Sequence, residues 1–178
     1  LPRLVQSKPV FAYPFRDAKG NYFRDIGTLD SYYEASMDLL KVDPPFNLYD
    51  TAFPIHSSTR PRPPAKMVFA GGETDRIGVA LDSLLCNGCI ISGGRVERSI
   101  LSPDVRINSY ALVEDSILFD RVDVGRCAKV RRAIIDKAVR IPPGFSVGYN
   151  LEEDAQRFTV SESGVVVMPK GTRIEEGS

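Results

Sequence analysis

The sequence predicts a mainly β chain, most of it a left-handed parallel β-helix of the hexapeptide type with 17-residue coils. Three observations carry this. The first is a column of valines, Val79, Val96, Val113, Val130 and Val147, recurring every 17 residues. Three more columns run beside it: Leu84, Leu101, Leu118, Ile135; Ile90, Ile107, Val124, Ile141; and Gly88, Val105, Val122, Val139. Fixed-period self-similarity marks a solenoid, in which each unit buries its apolar face only against its neighbours. The second observation is spacing within the unit. Val113, Leu118, Val124 and Val130 fall five or six residues apart, which describes a triangular coil of three short strands. The third is composition. The unit is too short for paired helices and is rich in Val and Ile with isolated Gly, Pro and Asn, which are strand and turn residues. Stacked coils rise about 4.8 Å each, so every inward column becomes a continuous apolar seam. Glu97, Arg98, Glu114, Asp115, Arg131 and Arg132 fall on outward positions, facing solvent or a partner.

The remaining elements follow in order. Residues 1–50 hold short apolar runs and one helical pattern, Leu29, Tyr32, Tyr33, Ala35, Met37, Leu39 and Leu40, with Asp30 or Ser31 as the expected cap. Residues 51–75 read as a Pro-rich linker, extended through Pro54, Pro61, Pro63 and Pro64, and ending in a turn or loop over Gly71 to Asp75. The β-helix is expected over 76–150, with Gly93 and Gly94 at a corner where backbones approach closely. Residues 151–178 break the period. Leu151 to Phe158 reads as a short helix and Ser163 to Met168 as a turn and strand, a tail suited to closing the open end of the solenoid.

Composition narrows the function classes. The 178 residues carry 23 basic and 23 acidic side chains, a balance that gives no support for a nucleic-acid partner or an anionic membrane surface. No apolar run approaches the roughly 20 residues that span a bilayer, and no basic-then-apolar start marks a signal peptide. A start at Leu1 reads as a fragment, a processed product or an excised domain. Three cysteines, Cys86, Cys89 and Cys127, make a poor disulfide framework and fit a reducing compartment. Cys86 and Cys89 have the spacing of a metal or redox pair, but only Cys127 and His56 remain as further soft ligands, so they read as small core or turn residues. The single histidine, His56, lies outside the repeats. One histidine excludes the three-histidine zinc site of a β-helical carbonic anhydrase and disfavours an acyltransferase. Neither Gly71-Gly72 nor Gly93-Gly94 leads into a phosphate-binding loop.

One N-terminal stretch, Phe23-Arg24-Asp25-Ile26-Gly27-Thr28, followed by Tyr32-Tyr33-Glu34-Ala35, resembles the Asp-Gly-Thr motif of sugar-nucleotide pyrophosphorylases. The order continues as in bacterial glucose-1-phosphate adenylyltransferases (ADP-glucose pyrophosphorylases). Asp38-Leu39-Leu40, Phe53-Pro54-Ile55, Pro63-Pro64-Ala65-Lys66, Cys89 to Gly93, Ser99-Ile100-Leu101 and Ile135-Asp136-Lys137 appear in turn. Glu153-Asp154-Ala155, Arg157-Phe158 and Ser163-Gly164-Val165 complete the set. The resemblance covers nearly the whole chain, and 1–50 then become the α/β tail of a catalytic nucleotidyltransferase domain.

The resemblance implies a parent enzyme that joins ATP and glucose 1-phosphate into ADP-glucose and pyrophosphate with Mg²⁺, for glycogen or starch synthesis. It places a metal-binding carboxylate on Asp25 and substrate contacts on Phe23 and Asp25. Phe23 stands where many members have Trp. It implies a cytoplasmic homotetramer controlled by anionic metabolites, with effector-binding cations on Lys137, where close relatives have Arg, and Lys170. Lys or Arg clusters hold phosphates through charge-assisted hydrogen bonds, and Lys lacks the bidentate fork of Arg. The nucleotide loop, a further metal aspartate and the sugar-phosphate lysine of the family have no counterpart here, so the chain alone is expected to be inactive. Two readings stand beside this one: a non-catalytic β-helix regulatory or assembly subunit, and a pyrophosphorylase for another sugar.

Overall fold

The computed structural model describes residues 2–13, 22–56, 60–68 and 76–174. The loop expected over Gly71 to Asp75 lies outside them. Among the described residues, sixteen short strands form the three stacked faces of a triangular solenoid. Face A holds β1 (Lys66–Val68), β4 (Ile90–Ser92), β7 (Arg106–Ile107), β10 (Asp123–Val124) and β13 (Arg140–Ile141). Face B holds β2 (Val79–Leu81), β5 (Arg95–Glu97), β8 (Leu112–Glu114), β11 (Lys129–Arg131) and β14 (Ser146–Val147). Face C holds β3 (Leu84–Leu85), β6 (Ile100–Leu101), β9 (Ile117–Leu118), β12 (Ala133–Ile135) and β16 (Val166–Met168), with β15 (Thr159–Val160) antiparallel at its edge.

The 17-residue period holds from β5 onward, where Val96, Val113, Val130 and Val147 pair in register. The first coil is one residue shorter. Ala80, not Val79, pairs with Val96; Leu85, not Leu84, pairs with Leu101; Ile91, not Ile90, pairs with Ile107. Cys89 replaces Gly88 in the fourth column and is buried with Val105, Val122 and Val139. The missing residue falls between β4 and β5, at Gly93-Gly94. A Cβ on Gly94 would stand 2.7 Å from the Asn108 carbonyl oxygen and from Ile107 Cγ2, so the shortened corner admits only glycine there.

Inside, the valine, leucine and isoleucine columns form one apolar core. One inward corner is polar instead. Ser99 and Ser116 are fully buried. Ser83 Oγ accepts the Ser99 amide, Ser99 Oγ accepts the Ser116 amide, and Ser116 Oγ accepts the Ala133 amide, at 3.0, 3.1 and 3.2 Å. Each hydroxyl donates to a carbonyl two residues back, so the ladder is satisfied from coil to coil.

Three elements extend this frame. Strand β1 lies within the stretch read as a linker and forms the first rung of face A, its Lys66 and Met67 pairing with Ile90 and Ile91. Two α-helices among the described residues precede it. Helix α1 spans Pro2–Ser7, and α2 spans Leu29–Met37 with Thr28 as its cap rather than Asp30 or Ser31. Thr28 Oγ1 accepts the Ser31 amide while Ser31 Oγ accepts the Thr28 amide, a reciprocal capping box. Leu39 and Leu40 fall beyond α2, in a 3-10 turn over Asp38–Leu40. At the far end α3 (Leu151–Arg157), capped by Asn150, leads into the β15–β16 hairpin. Phe158 meets Phe145 edge-on at 6.5 Å, and Phe158 and Val160 pack against the core at the last coil.

Replacing Ser116 with Ala removes the acceptor of a buried amide. We expect a loss of about 1–3 kcal/mol in urea unfolding; an unchanged midpoint would show that the serine ladder is not stabilising.

Candidate functional site

The pairing of Ile135 with Met168 brings two chain segments together at the C-to-A corner. Two residues further on, Lys137 and Lys170 occupy equivalent places on successive rungs. A single carboxylate holds both. Asp136 Oδ1 accepts the Lys137 backbone N–H at 2.6 Å, and Oδ2 accepts the Lys170 backbone N–H at 3.1 Å. The Asp136 amide in turn donates to the Met168 carbonyl at 2.9 Å. Both lysines are exposed, and among the described residues neither ammonium is ion-paired. The arrangement presents two cations side by side on a fixed backbone, which suits an anion.

The N-terminal motif lies just before α2. Asp25 is exposed, its Oδ1 accepting the Gly27 amide at 3.0 Å in a turn that hands the chain to the Thr28 cap. Phe23 is 83% exposed. Neither is in hydrogen-bond contact with the lysine corner among the described residues. The neighbouring Arg24 is fixed: it reaches buried Asp38 at 2.7 Å, and Lys41 meets the other oxygen at 2.6 Å. The Lys41 contact, followed by Arg24, holds the Asp38 carboxyl below its usual range against the opposing effect of burial. Among the described residues no group of three or more His, Cys, Asp or Glu side chains is placed to hold a metal ion. Asp25 therefore fits Mg²⁺ only as one carboxylate ligand, a normal share for this ion, which keeps waters and substrate phosphates in its remaining positions.

Helix α2 docks on the outer side of face C. Tyr33 is buried against Ile117, Ile134 and Val165, and its hydroxyl donates to the Asp115 carbonyl at 2.6 Å. Tyr32 stacks on Phe119. Asp30, one turn earlier, accepts hydrogen bonds from the hydroxyls of Ser161 and Ser163 in the C-terminal tail. Ser161 first, then Ser163, draws the Asp30 carboxyl below its usual range.

A protein-family model described as "GlmU-like, C-terminal hexapeptide" matches residues 63–168. The chain belongs to this family. It is 51% identical over 180 residues to the glucose-1-phosphate adenylyltransferase of Anaeromyxobacter sp. (strain Fw109-5), covering 97% of this chain and 44% of the relative. It is 52% identical over 179 residues to the Rhodopirellula baltica protein of the same name, covering 98% and 40%. The Koribacter versatilis protein is 49% identical over 173 residues, covering 96% and 41%. The chain thus spans about two-fifths of the length of the curated relatives it matches.

In this hexapeptide chain the cysteines serve the coils. Cys89 is a core residue whose thiol is pushed up to about 11 by burial, Cys127 sits at a corner with φ of +58°, and all three are free. His56 is exposed. No helix among the described residues is long and apolar enough to cross a membrane.

Asp136 and Asp30 are the residues whose roles the sequence reading missed. Asp136 was one letter of a motif and Asp30 a cap candidate. The signal for Asp136 lay in the register of β16 on β12, which α3 and β15 hide from the 17-residue count.

Asp154, buried in α3, accepts the Gly148 amide at 2.8 Å, and burial raises its carboxyl above the ordinary range. A raised folded-state pKa means that its protonated form stabilises the fold. That contribution is complete below the unfolded value and is lost as pH rises through the folded one. Asp154→Asn keeps the oxygen acceptor and removes the charge. At pH 7 it should be at least as stable as the parent, with the difference shrinking toward pH 4 in paired melting curves. A variant markedly less stable at pH 7 would mean the charge is needed.

Proposed function

We propose that this chain is the regulatory and assembly region of an enzyme that makes ADP-glucose and pyrophosphate from ATP and glucose 1-phosphate. The observation that carries the reading is the identity of about half across nearly the whole chain to glucose-1-phosphate adenylyltransferases, of which it spans about two-fifths. The motif around Asp25 supports it: the carboxylate is exposed at the entrance to a capped helix with one oxygen on the Gly27 amide, and its other oxygen would meet a cation. Mg²⁺ bound there would neutralise charge on the substrate phosphates. Phe23, exposed beside it, would contact substrate. The rest of that site would come from residues outside this chain, and the chain alone would not turn over.

Lys137 and Lys170 would receive an anionic metabolite. Their backbone amides share the Asp136 carboxylate, so the two side chains leave from one rigid corner. The effect of a ligand there could pass along β16 to the tail and to Asp30 on α2, which follows the Asp25 motif by a few residues. The flat faces of the solenoid would supply contacts for a homotetramer, and the enzyme would act in the cytoplasm.

In the full-length enzyme, Lys170→Gln and Lys137→Gln should each raise the concentration of activator needed for half-maximal effect by roughly tenfold, the loss of one charge-assisted contact of about 1.5 kcal/mol. Basal activity should hold. An unchanged effector response in both would remove the lysine assignment. Asp25→Asn should lower Mg²⁺-dependent synthesis of ADP-glucose steeply. Full activity in that variant, or turnover by the 178-residue chain alone, would overturn the reading of the N-terminal segment.

A further inference from the structure

At the other end of β12 from the lysine corner lies a cavity of about 420 Å³. Four separate parts of the fold wall it: α2 through Tyr33, two successive B-to-C corners through Asp115 and through Arg131 and Arg132, the turn into α3 through Tyr149 and Leu151, and the tail through Ser163. Consecutive residues of an extended strand point to opposite sides. Arg132 departs from this because its φ is +48°, and both arginines line the same cavity.

Each guanidinium is held in place without being used up. Arg131 lies 4.4 Å from the centre of the Tyr149 ring, and its Nε donates to the Gly148 carbonyl at 3.2 Å. Arg132 lies 5.4 Å from the Tyr33 ring, its Nε donating to the Ser163 carbonyl and one Nη to the Ser163 hydroxyl. Among the described residues neither arginine is ion-paired. The acids nearby are already engaged, Asp30 close to Arg132 by the Ser161 and Ser163 hydroxyls. The Asp115 carboxylate takes two hydrogen bonds from Arg98, at 2.7 and 2.9 Å, and Glu114 accepts the Tyr149 hydroxyl at 3.0 Å. Burial, followed by the Glu114 contact, pushes the Tyr149 phenol up to about 12, so it remains a neutral donor. What remains is two positioned cations with unused N–H groups, opening on a partly apolar cavity.

We propose that this cavity is a second ligand site, separate from the Lys137–Lys170 corner, for a small phosphate monoester. The phosphoryl group would lie between Arg131 and Arg132, whose planar forks suit phosphate oxygens. The organic body, of about the size of one ring, would lie toward Leu151. The site does not depend on the effector reading of the lysines. Because its walls come from α2, the solenoid and the tail, a ligand that fills it binds the docked arrangement and stabilises it by mass action.

The test is calorimetric titration of the full chain with phenyl phosphate, with inorganic phosphate as competitor, alongside melting curves. We expect saturable binding at roughly millimolar concentration or below, displaced by phosphate, and a melting temperature that rises with ligand. Arg131→Gln should weaken binding at least tenfold. Arg131→Lys, which keeps the charge and most of the stem, should weaken it less and leaves the fold intact. The Lys137→Gln, Lys170→Gln double variant should bind as the parent does. The absence of saturable binding would overturn the proposal. So would an affinity indifferent to both Arg131 variants, and so would binding lost in the double lysine variant, which would move the ligand to the lysine corner and leave the reading of that corner standing.

Discussion

Each coil turns three corners, and at each corner one residue is held in the left-handed region. The corner positions run as three columns: Asp82, Arg98, Asp115 and Arg132; Gly88, Asp104, Arg121 and Ala138; Gly93, Tyr110, Cys127 and Gly144. Nine of these twelve are not glycine, and the left-handed backbone costs each about 1–2 kcal/mol. The offset is visible in the backbone ladder. The amides of Arg98, Asp115 and Arg132 donate to the carbonyls of Leu81, Glu97 and Glu114 one coil earlier. Those of Arg121 and Ala138 reach Pro103 and Asp120 in the same way. A corner residue thus keeps its strained conformation because the coil below supplies its hydrogen-bond partner. The first coil can lose a residue only where glycines stand at the corner. Everything placed on the solenoid, including both cationic sites, inherits its position from this coil-to-coil register.

The register also explains why face C differs from the other two. Strands on faces A and B alternate a buried residue with a more exposed one, as Arg106–Ile107 and Lys129–Arg131 do. On face C, Ile117–Leu118 and Ala133–Ile135 are buried throughout. Leu118 and Ile135 point into the coil core, while Ile117 and Ile134 belong to a second apolar cluster with Tyr33 and Val165. A face covered on both sides needs apolar residues on both sides. Helix α2 is the cover, and Asp30 pins its first turn to the tail through Ser161 and Ser163. The N-terminal motif and the C-terminal tail, far apart in sequence, meet on this face.

The sequence made the solenoid legible because stacking repeats a chemical requirement at a fixed interval. Val96, Val113, Val130 and Val147 are identical because they fill the same space on successive coils. The same count misplaced the first coil by one residue, since a single deletion at Gly93-Gly94 leaves an apolar residue on either side of each expected position. Leu84-Leu85 and Ile90-Ile91 satisfy both registers, and only the pairing of strands chooses. The doubled apolar pairs on face C were the mark of a second covered surface. The docking of α2 could not be counted from them, because no period links residue 33 to residue 117. The lysine corner was half legible. Motif likeness picked out Lys137 and Lys170 separately, but their neighbourhood depends on β16 rejoining face C after α3 and β15.

The distribution of charge gives the fold its two points of chemical interest. Positive and negative side chains balance overall. Along the B-to-C corner they neutralise one another in a ladder, with Arg95 and Arg98 on Glu97, and Arg98 again on Asp115. Such exposed pairs add little stability individually. Their larger effect is to remove Glu97 and Asp115 as partners for the next cations in line. Arg131 and Arg132 on the following coil lie over tyrosine rings and form no ion pair among the described residues. At the opposite end of β12, Asp136 uses both of its oxygens on backbone amides, so it holds Lys137 and Lys170 in place without pairing with either ammonium. One short strand therefore separates two pairs of cations whose nearest acids are committed elsewhere. On a chain with no net charge, that placement concentrates unpaired positive charge at two corners that touch the same tail.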